Sequence, residues 1–290
     1  MAAAGALRSI AGTMTVPLPV AELPARLDFA MTIAAQAGQR LLALCTGGRW
    51  ADEQVLGDVA DHAADAFLQG SLLGAFPQDG VRSEEAVDAA PRTPAPWTWI
   101  LDPLDGTKEY RSGRPDWAVH VGLVRDGRPV LGAVALPAID RVVGAICVPG
   151  RERVVVQGRS GDWPLALTGD PGEGGRLRLA VSRSHTPDWI RRFAADLGDA
   201  ELVPSGSVGF KVALLLFGRA DVYAHKPGLK EWDTCAPEAV ARAAGWWCSR
   251  LDGSAQTYGH ADPRNDEIAV CRPRLRDRVL TALAAHAPRG

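Results

Sequence analysis

Nothing in the chain reaches the roughly 18 consecutive apolar residues that a membrane-spanning helix needs, although 47% of its 290 residues are hydrophobic. That excludes a helical membrane span and leaves the apolar content for a buried core, enough for one large domain or two ordinary ones. Charge of one sign is lacking too. Lys and Arg number 32 against 34 Asp and Glu, a formal net charge of -2. No basic footprint marks a nucleic-acid polymer as partner, and only a local basic pocket for a small phosphorylated ligand stays open. Cysteines are few and unpatterned. Cys45, Cys147, Cys235, Cys248 and Cys271 show no Cys-x-x-Cys or Cys/His ligand spacing, so they read as small buried residues in a reducing cytoplasm. Internal repeats, heptads and low-complexity tracts are missing, so nothing suggests a scaffold or filament. A Gly-x-Ser-x-Gly elbow and a Cys/His nucleophile pattern are missing as well, which argues against hydrolysis through an acyl- or phospho-enzyme.

What is present falls into segments. Residues 1–19 have no basic region leading into a sustained apolar stretch and are expected to be a flexible leader, with Met14 an alternative start. Leu27, Ala30, Ile33, Ala34, Ala37 and Leu41 recur at helical spacing between Val20 and Cys45. A second helix is predicted over about 59–76, beginning near Asp61. Short strands follow at 117–124, 130–136, 141–148 and 153–157, with hairpin chemistry at Arg125-Asp126-Gly127-Arg128, so an antiparallel sheet is expected under the two helices. The Gly-rich stretch 168–175 marks a boundary, which divides the chain into a metal-site domain over 20–170 and an α/β domain over 171–290 in which strands and helices alternate.

The chemistry centres on Trp99-Ile100-Leu101-Asp102-Pro103-Leu104-Asp105-Gly106-Thr107-Lys108-Glu109-Tyr110. An apolar strand ends on Asp102, which Pro103 holds extended. Asp105 follows, then Gly106, which tolerates a tight turn, and Thr107, which can open a helix. Carboxylates and the freed Leu104 carbonyl suit Mg²⁺, while N–H groups at a helix start suit phosphate. The same residues also allow a plainer account, in which Asp105 caps a helix and Asp102 ends a strand.

Acids elsewhere favour the metal. Asp102-Pro-Leu-Asp-Gly-Thr lies downstream of Ser83-Glu84-Glu85 and far upstream of Trp232-Asp233. Three motifs in this order resemble the metal core of the lithium-sensitive inositol monophosphatase superfamily. The Thr-Lys-Glu-Tyr ending resembles its 3'(2'),5'-bisphosphate nucleotidase branch. The resemblance covers about 23–271 and implies an α/β (α+β) fold, the layered αβαβα sandwich of the sugar phosphatases. It implies two or three Mg²⁺ ions held by Asp61, Glu84, Asp102, Leu104, Asp105 and Asp233, with Asp61, Glu84 and Thr107 catalytic. Asp61 alternatively reads as a charge favourable to its helix dipole.

Substrate contacts are implied in the same way. Gly106 and Thr107 would hold the reacting phosphate. Ser182-Arg183-Ser184-His185 resembles the segment that the nucleotidases present to the nucleotide, and Gly206-Ser207 with Lys211 resembles their phosphate-binding segment; Tyr223 is placed with these contacts. Read locally, the first segment is a strand end before a helix and Lys211 a snorkelling helix residue. Ser207 to Lys211 is one residue longer than in some members, and His225 stands where others carry Arg, so contacts to the distal phosphate or base can differ. The implied activity removes the 3'-phosphate of 3'-phosphoadenosine 5'-phosphate, or of its sulfated form, in sulfur metabolism, by a monomer or homodimer. An inositol or sugar monophosphatase, a pathway-specific nucleotide phosphatase and a nucleotide-binding regulator are the alternatives.

Overall fold

The computed structural model describes residues 20–47, 52–86, 95–158, 165 and 175–286. The expected leader over 1–19 and nearly all of the connector near 168–175 lie outside these described residues.

Helix α1 (Leu23–Gly47) turns Leu27, Ala30, Ile33, Ala34, Ala37 and Leu41 inward, as their spacing predicts. Helix α2 (Glu53–Ala75) starts earlier than expected. Asp52 caps it, its side chain accepting the Gln54 N–H at 2.7 Å, while Val55 and Val59 are exposed and so break the apolar period that would reveal the first turns. Asp61 therefore sits about two turns inside the helix rather than at its start.

One sheet runs in the order β1 (Gly80–Ser83), β2 (Thr98–Asp105), β3 (Ala118–Arg125), β4 (Arg128–Leu136), β5 (Arg141–Ile146), β6 (Arg153–Gly158). Its pairs from β2 onward are antiparallel, as the hairpin signals predict, but β1 joins parallel to β2. The second sheet contains β7 (Arg178–Ser182), β8 (Glu201–Ser205), β9 (Val222–His225), β10 (Trp247–Ser249) and β11 (Ile268–Cys271), in the order β10-β11-β9-β7-β8. Here β7 is parallel to both β8 and β9.

Helices separate and cover the sheets. Helix α5 (Val208–Leu216) is buried along its whole length, which its nearly continuous apolar sequence requires. With α6 (Glu231–Ala243) it lies between the sheets, in a core that joins Val134 and Val143 of one to Ala180, Tyr223 and Ile268 of the other. α1 and α2 close the far face of the first sheet; α4 (Asp188–Asp196) and α7 (Arg276–His286) close that of the second. The result is the αβαβα layering expected.

Candidate active site

Asp102 and Asp105 lie three positions apart, which on a regular strand would aim them at opposite faces. The β2–β3 register shifts between them, and Pro103, which has no N–H to pair, sits inside the irregularity. The bulge brings both carboxylates into one cluster: ligand atoms of Asp102, Asp105 and His120 all lie within 4.8 Å of one another. Gly106 then adopts φ 93°, a left-handed turn in which a side chain is strained, and caps the five-residue helix α3 (Thr107–Arg111). The Thr107 hydroxyl donates to the Leu104 carbonyl at 3.1 Å and stands 3.5 Å from Asp61 Oδ2.

Two further segments bring Glu84 and Asp233. Glu84 follows β1 directly, where Ser83 Oγ bonds Asp65 of α2 at 2.5 Å and holds the strand end to that helix. Asp233 lies in the first turn of α6 and takes the Lys230 N–H at 2.6 Å. Arg82 spans the two motifs, bonding the wholly buried Glu231 at 2.7 Å.

Four of the acids are shifted upward. Burial, then the charge of Glu85, pushes Asp61 up to about 7. Burial, then the charges of Asp61 and Asp105, does the same to Glu84. Asp233 rises to about 7 through burial and the charge of Asp105, and Asp102 rises well above the ordinary carboxylate range through burial and the charge of Glu84. Asp105 differs. Its burial is outweighed by His120, Lys211 and the Gly209 N–H, so its carboxyl is lowered. Asp61 Oδ1 is buried without a hydrogen-bond partner among the described residues. Hard oxygen donors crowded beyond what the protein's own cations neutralise fit divalent ions such as Mg²⁺.

Beside this cluster lie the carboxyl ends of β7, β8 and β9, where open α/β sheets place ligands. Lys211 is buried with its ammonium on the Gly206 carbonyl, 5.4 Å from the centre of the Tyr223 ring; burial lowers its pKa. The Tyr223 hydroxyl has no hydrogen-bond partner among the described residues. Ser182 and His185 line an open cleft together with Trp189, His225 and Lys226. Arg183 and Ser184 are exposed. Arg183 is engaged within the protein, donating to Asp116 and to the Pro204 carbonyl at 2.8 Å each. Ser207 caps α5, accepting the Phe210 N–H at 2.8 Å. Gly206 donates to Asp116 at 2.8 Å.

His120 lies on β3, opposite Asp102 and against Asp105, with Nε2 3.2 Å from Asp105 Oδ2. Asp116 was not singled out at all, although it accepts from Arg183, Arg114 and Gly206. A strand-pairing argument would have found His120, because β2 and β3 are hairpin-like neighbours; only the fold reveals Asp116.

Residues 25–287 match the inositol monophosphatase family. A 3'-phosphoadenosine 5'-phosphate phosphatase from Mycobacterium bovis is 39% identical over 235 residues, 79% of this chain and 82% of that protein. A protein of the same name from Mycobacterium leprae is 38% identical, over 84% of this chain and 88% of its own length. Among solved structures, that of CysQ from Bacteroides thetaiotaomicron, a bacterial member of the inositol monophosphatase family, superposes with a TM-score of 0.69 at 25% identity, over 86% of this chain and 97% of that one. With the sandwich, the bulged acidic corner and a match that runs nearly end to end, this chain belongs to the inositol monophosphatase family.

Proposed function

We propose that the chain is a Mg²⁺-dependent phosphomonoesterase that converts 3'-phosphoadenosine 5'-phosphate to AMP and phosphate, with the sulfated nucleotide as a second candidate substrate. One observation carries the reading: a cluster of acids lacking enough cationic partners, with Asp61, Asp102 and Asp105 buried and Glu84 and Asp233 half-buried, lies beside the buried Lys211 at the end of the second sheet. The mycobacterial relatives named as phosphatases of this nucleotide support it.

In this reading Glu84, Asp102, Asp105, Asp233 and the Leu104 carbonyl hold two or three ions. Such ions supply an acidified water and stabilisation of the leaving oxygen. Thr107, 3.5 Å from Asp61, orients the attacking water, and Asp61, with its carboxyl near 7, accepts the water's proton. The water oxygen bonds to phosphorus as the bond from phosphorus to the 3'-oxygen breaks, and the departing 3'-oxygen takes a proton from solvent water to become a hydroxyl while Asp61 returns its proton to solvent. Backbone N–H groups of Gly106 and Thr107 hold the transferred phosphate without adding a cation that would compete with the ions. Lys211 with Tyr223 and Ser182 meets the rest of the nucleotide, flanked by Ser184 and His185, while Arg183, Gly206 and Ser207 shape the wall through Asp116 and the α5 cap. The five free cysteines among the described residues support a reducing, cytoplasmic setting.

Phosphate release with Mg²⁺ from 3'-phosphoadenosine 5'-phosphate, 5'-AMP, inositol 1-phosphate and fructose 1,6-bisphosphate tests the proposal. Preference for the first is expected, with inhibition by Li⁺. Preference for inositol or sugar phosphate keeps the metal site and refutes the substrate, and no release from any of the four contradicts both.

A further inference from the structure

His120 is a buried polar side chain in the site that neither the ion-binding nor the substrate reading uses. It is wholly buried on β3 and bordered by oxygens on both edges. Nδ1 stands 3.2 Å from the Trp232 carbonyl and 3.9 Å from Asp102 Oδ2; Nε2 stands 3.2 Å from Asp105 Oδ2 without a well-formed hydrogen bond. One ring thus touches the bulge of β2 and the start of α6, the segments that carry three of the acids.

Gly209 closes the remaining side. A side chain there would put its first carbon 2.1 Å from His120 Nε2 and 2.9 Å from Val134 Cγ1. Lacking one, the α5 backbone comes up against the imidazole and donates the Gly209 N–H to Asp105 Oδ2 at 2.9 Å. An ion approaching Nε2 from the Gly209 side meets this backbone, so the ring is a poor ligand from there. Oδ2 is hemmed in by an N–H and an imidazole edge, while no donor among the described residues meets Oδ1. Other acids repeat the arrangement: Leu104 N–H donates to Asp102 Oδ1 at 3.2 Å and Lys230 N–H to Asp233 Oδ2 at 2.6 Å. Each of these carboxylates has one oxygen engaged by the protein.

We propose that His120 is a positioning residue that, with Gly209, confines Asp105 to a single ligating oxygen and so selects Mg²⁺ over Ca²⁺. Mg²⁺ takes single oxygens in a small octahedron, whereas Ca²⁺ accepts both oxygens of a carboxylate in a larger and looser shell. The proposal rests on the reading of Asp105 as a metal ligand.

Calorimetric titration of the metal-free full chain with Mg²⁺ and with Ca²⁺ tests it. The wild type should bind Mg²⁺ more tightly. His120→Ala, which uncovers Oδ2, should bind Mg²⁺ about tenfold more weakly while holding or gaining Ca²⁺ affinity; His120→Gln, which restores a polar group at this edge, should return toward the wild-type ratio. Gly209→Ala, whose methyl displaces the ring, should shift the ratio as His120→Ala does and carries the test if that variant fails to fold. A purely structural histidine would weaken both ions by the same factor, and an unchanged ratio in these variants overturns the proposal. Absence of Mg²⁺ binding by the wild type would instead refute the ligand reading beneath it.

Discussion

The acids gathered at the end of the first sheet and the cations around the second differ in how their charge is met. Asp61, Glu84, Asp102 and Asp233 all titrate above their ordinary range, with burial the largest cause in each. Around the second sheet most cations are answered within the protein: Arg183 by Asp116 at 2.8 Å, Arg178 by Asp221 at 3.0 Å and Lys226 by Glu267 at 3.2 Å. Lys211 differs: its ammonium rests on the Gly206 carbonyl, no ion pair reaches it among the described residues, and the charges of Asp105 and Glu109 only partly offset the burial that lowers its pKa. Charge that a fold buries without answering marks where a ligand's charge belongs. By that rule one side of the cleft calls for cations and the other for an anion, the arrangement that a metal-dependent phosphatase with a second phosphate to recognise requires.

The largest effect should come from breaking the acidic side. Asp105→Asn should lower kcat on the order of a hundred- to a thousandfold, the scale for a lost stabiliser of transition-state charge. Circular dichroism should show an intact fold, and wild-type turnover would contradict a metal role for Asp105.

Metal removal should expose the same charge as instability. Asp61, Glu84 and Asp233 stand near 7 in the folded chain against 3.8, 4.5 and 3.8 ordinarily. The native state therefore holds more protons between about pH 4 and 7. Stability of the metal-free protein is fully present below the ordinary values and is lost as pH rises through about 7. His225, pushed down to about 4 by burial and the charge of Lys211, acts in the opposite sense, one imidazole against three carboxyls. Denaturant titrations in EDTA should thus give a higher midpoint at pH 5 than at pH 8, and saturating Mg²⁺ should raise the pH 8 midpoint most. A midpoint independent of both pH and Mg²⁺ would contradict a charge-strained cluster.

A smaller effect should follow on the basic side. Lys211→Met should raise KM for the bisphosphate nucleotide about tenfold, the loss of one charge-assisted contact, and leave KM for monophosphates nearly unchanged. Asp52→Ala removes only the α2 cap and should cost about 1 kcal/mol of stability with kcat unaltered, which separates helix stability from site chemistry.

Much of this comparison was legible in the sequence, unevenly. Apolar period and turn chemistry anticipated the strands and helices from Ala118 onward, and the three acidic motifs are contiguous words that need no fold to be read. The parallel pairing of β1 with β2 and the early start of α2 were not legible, since one depends on a long connection and the other on a cap followed by exposed valines. Residues whose role comes from distant packing were the hardest. Arg183 gives its hydrogen bonds to Asp116, 67 positions away, and His120 owes its place to a glycine on another helix. The extra residue noted between Ser207 and Lys211 falls in the turn that holds this glycine, whose N–H binds Asp105.

The most direct test is the ratio of kcat/KM for 3'-phosphoadenosine 5'-phosphate to that for inositol 1-phosphate, measured with saturating Mg²⁺ in the wild type and in Lys211→Met. A wild-type ratio well above one that falls toward one in the variant is the predicted result. A ratio near or below one in the wild type, or one unmoved by the loss of Lys211, would contradict the division of the cleft into an acidic side that performs the hydrolysis and a basic side that chooses the substrate.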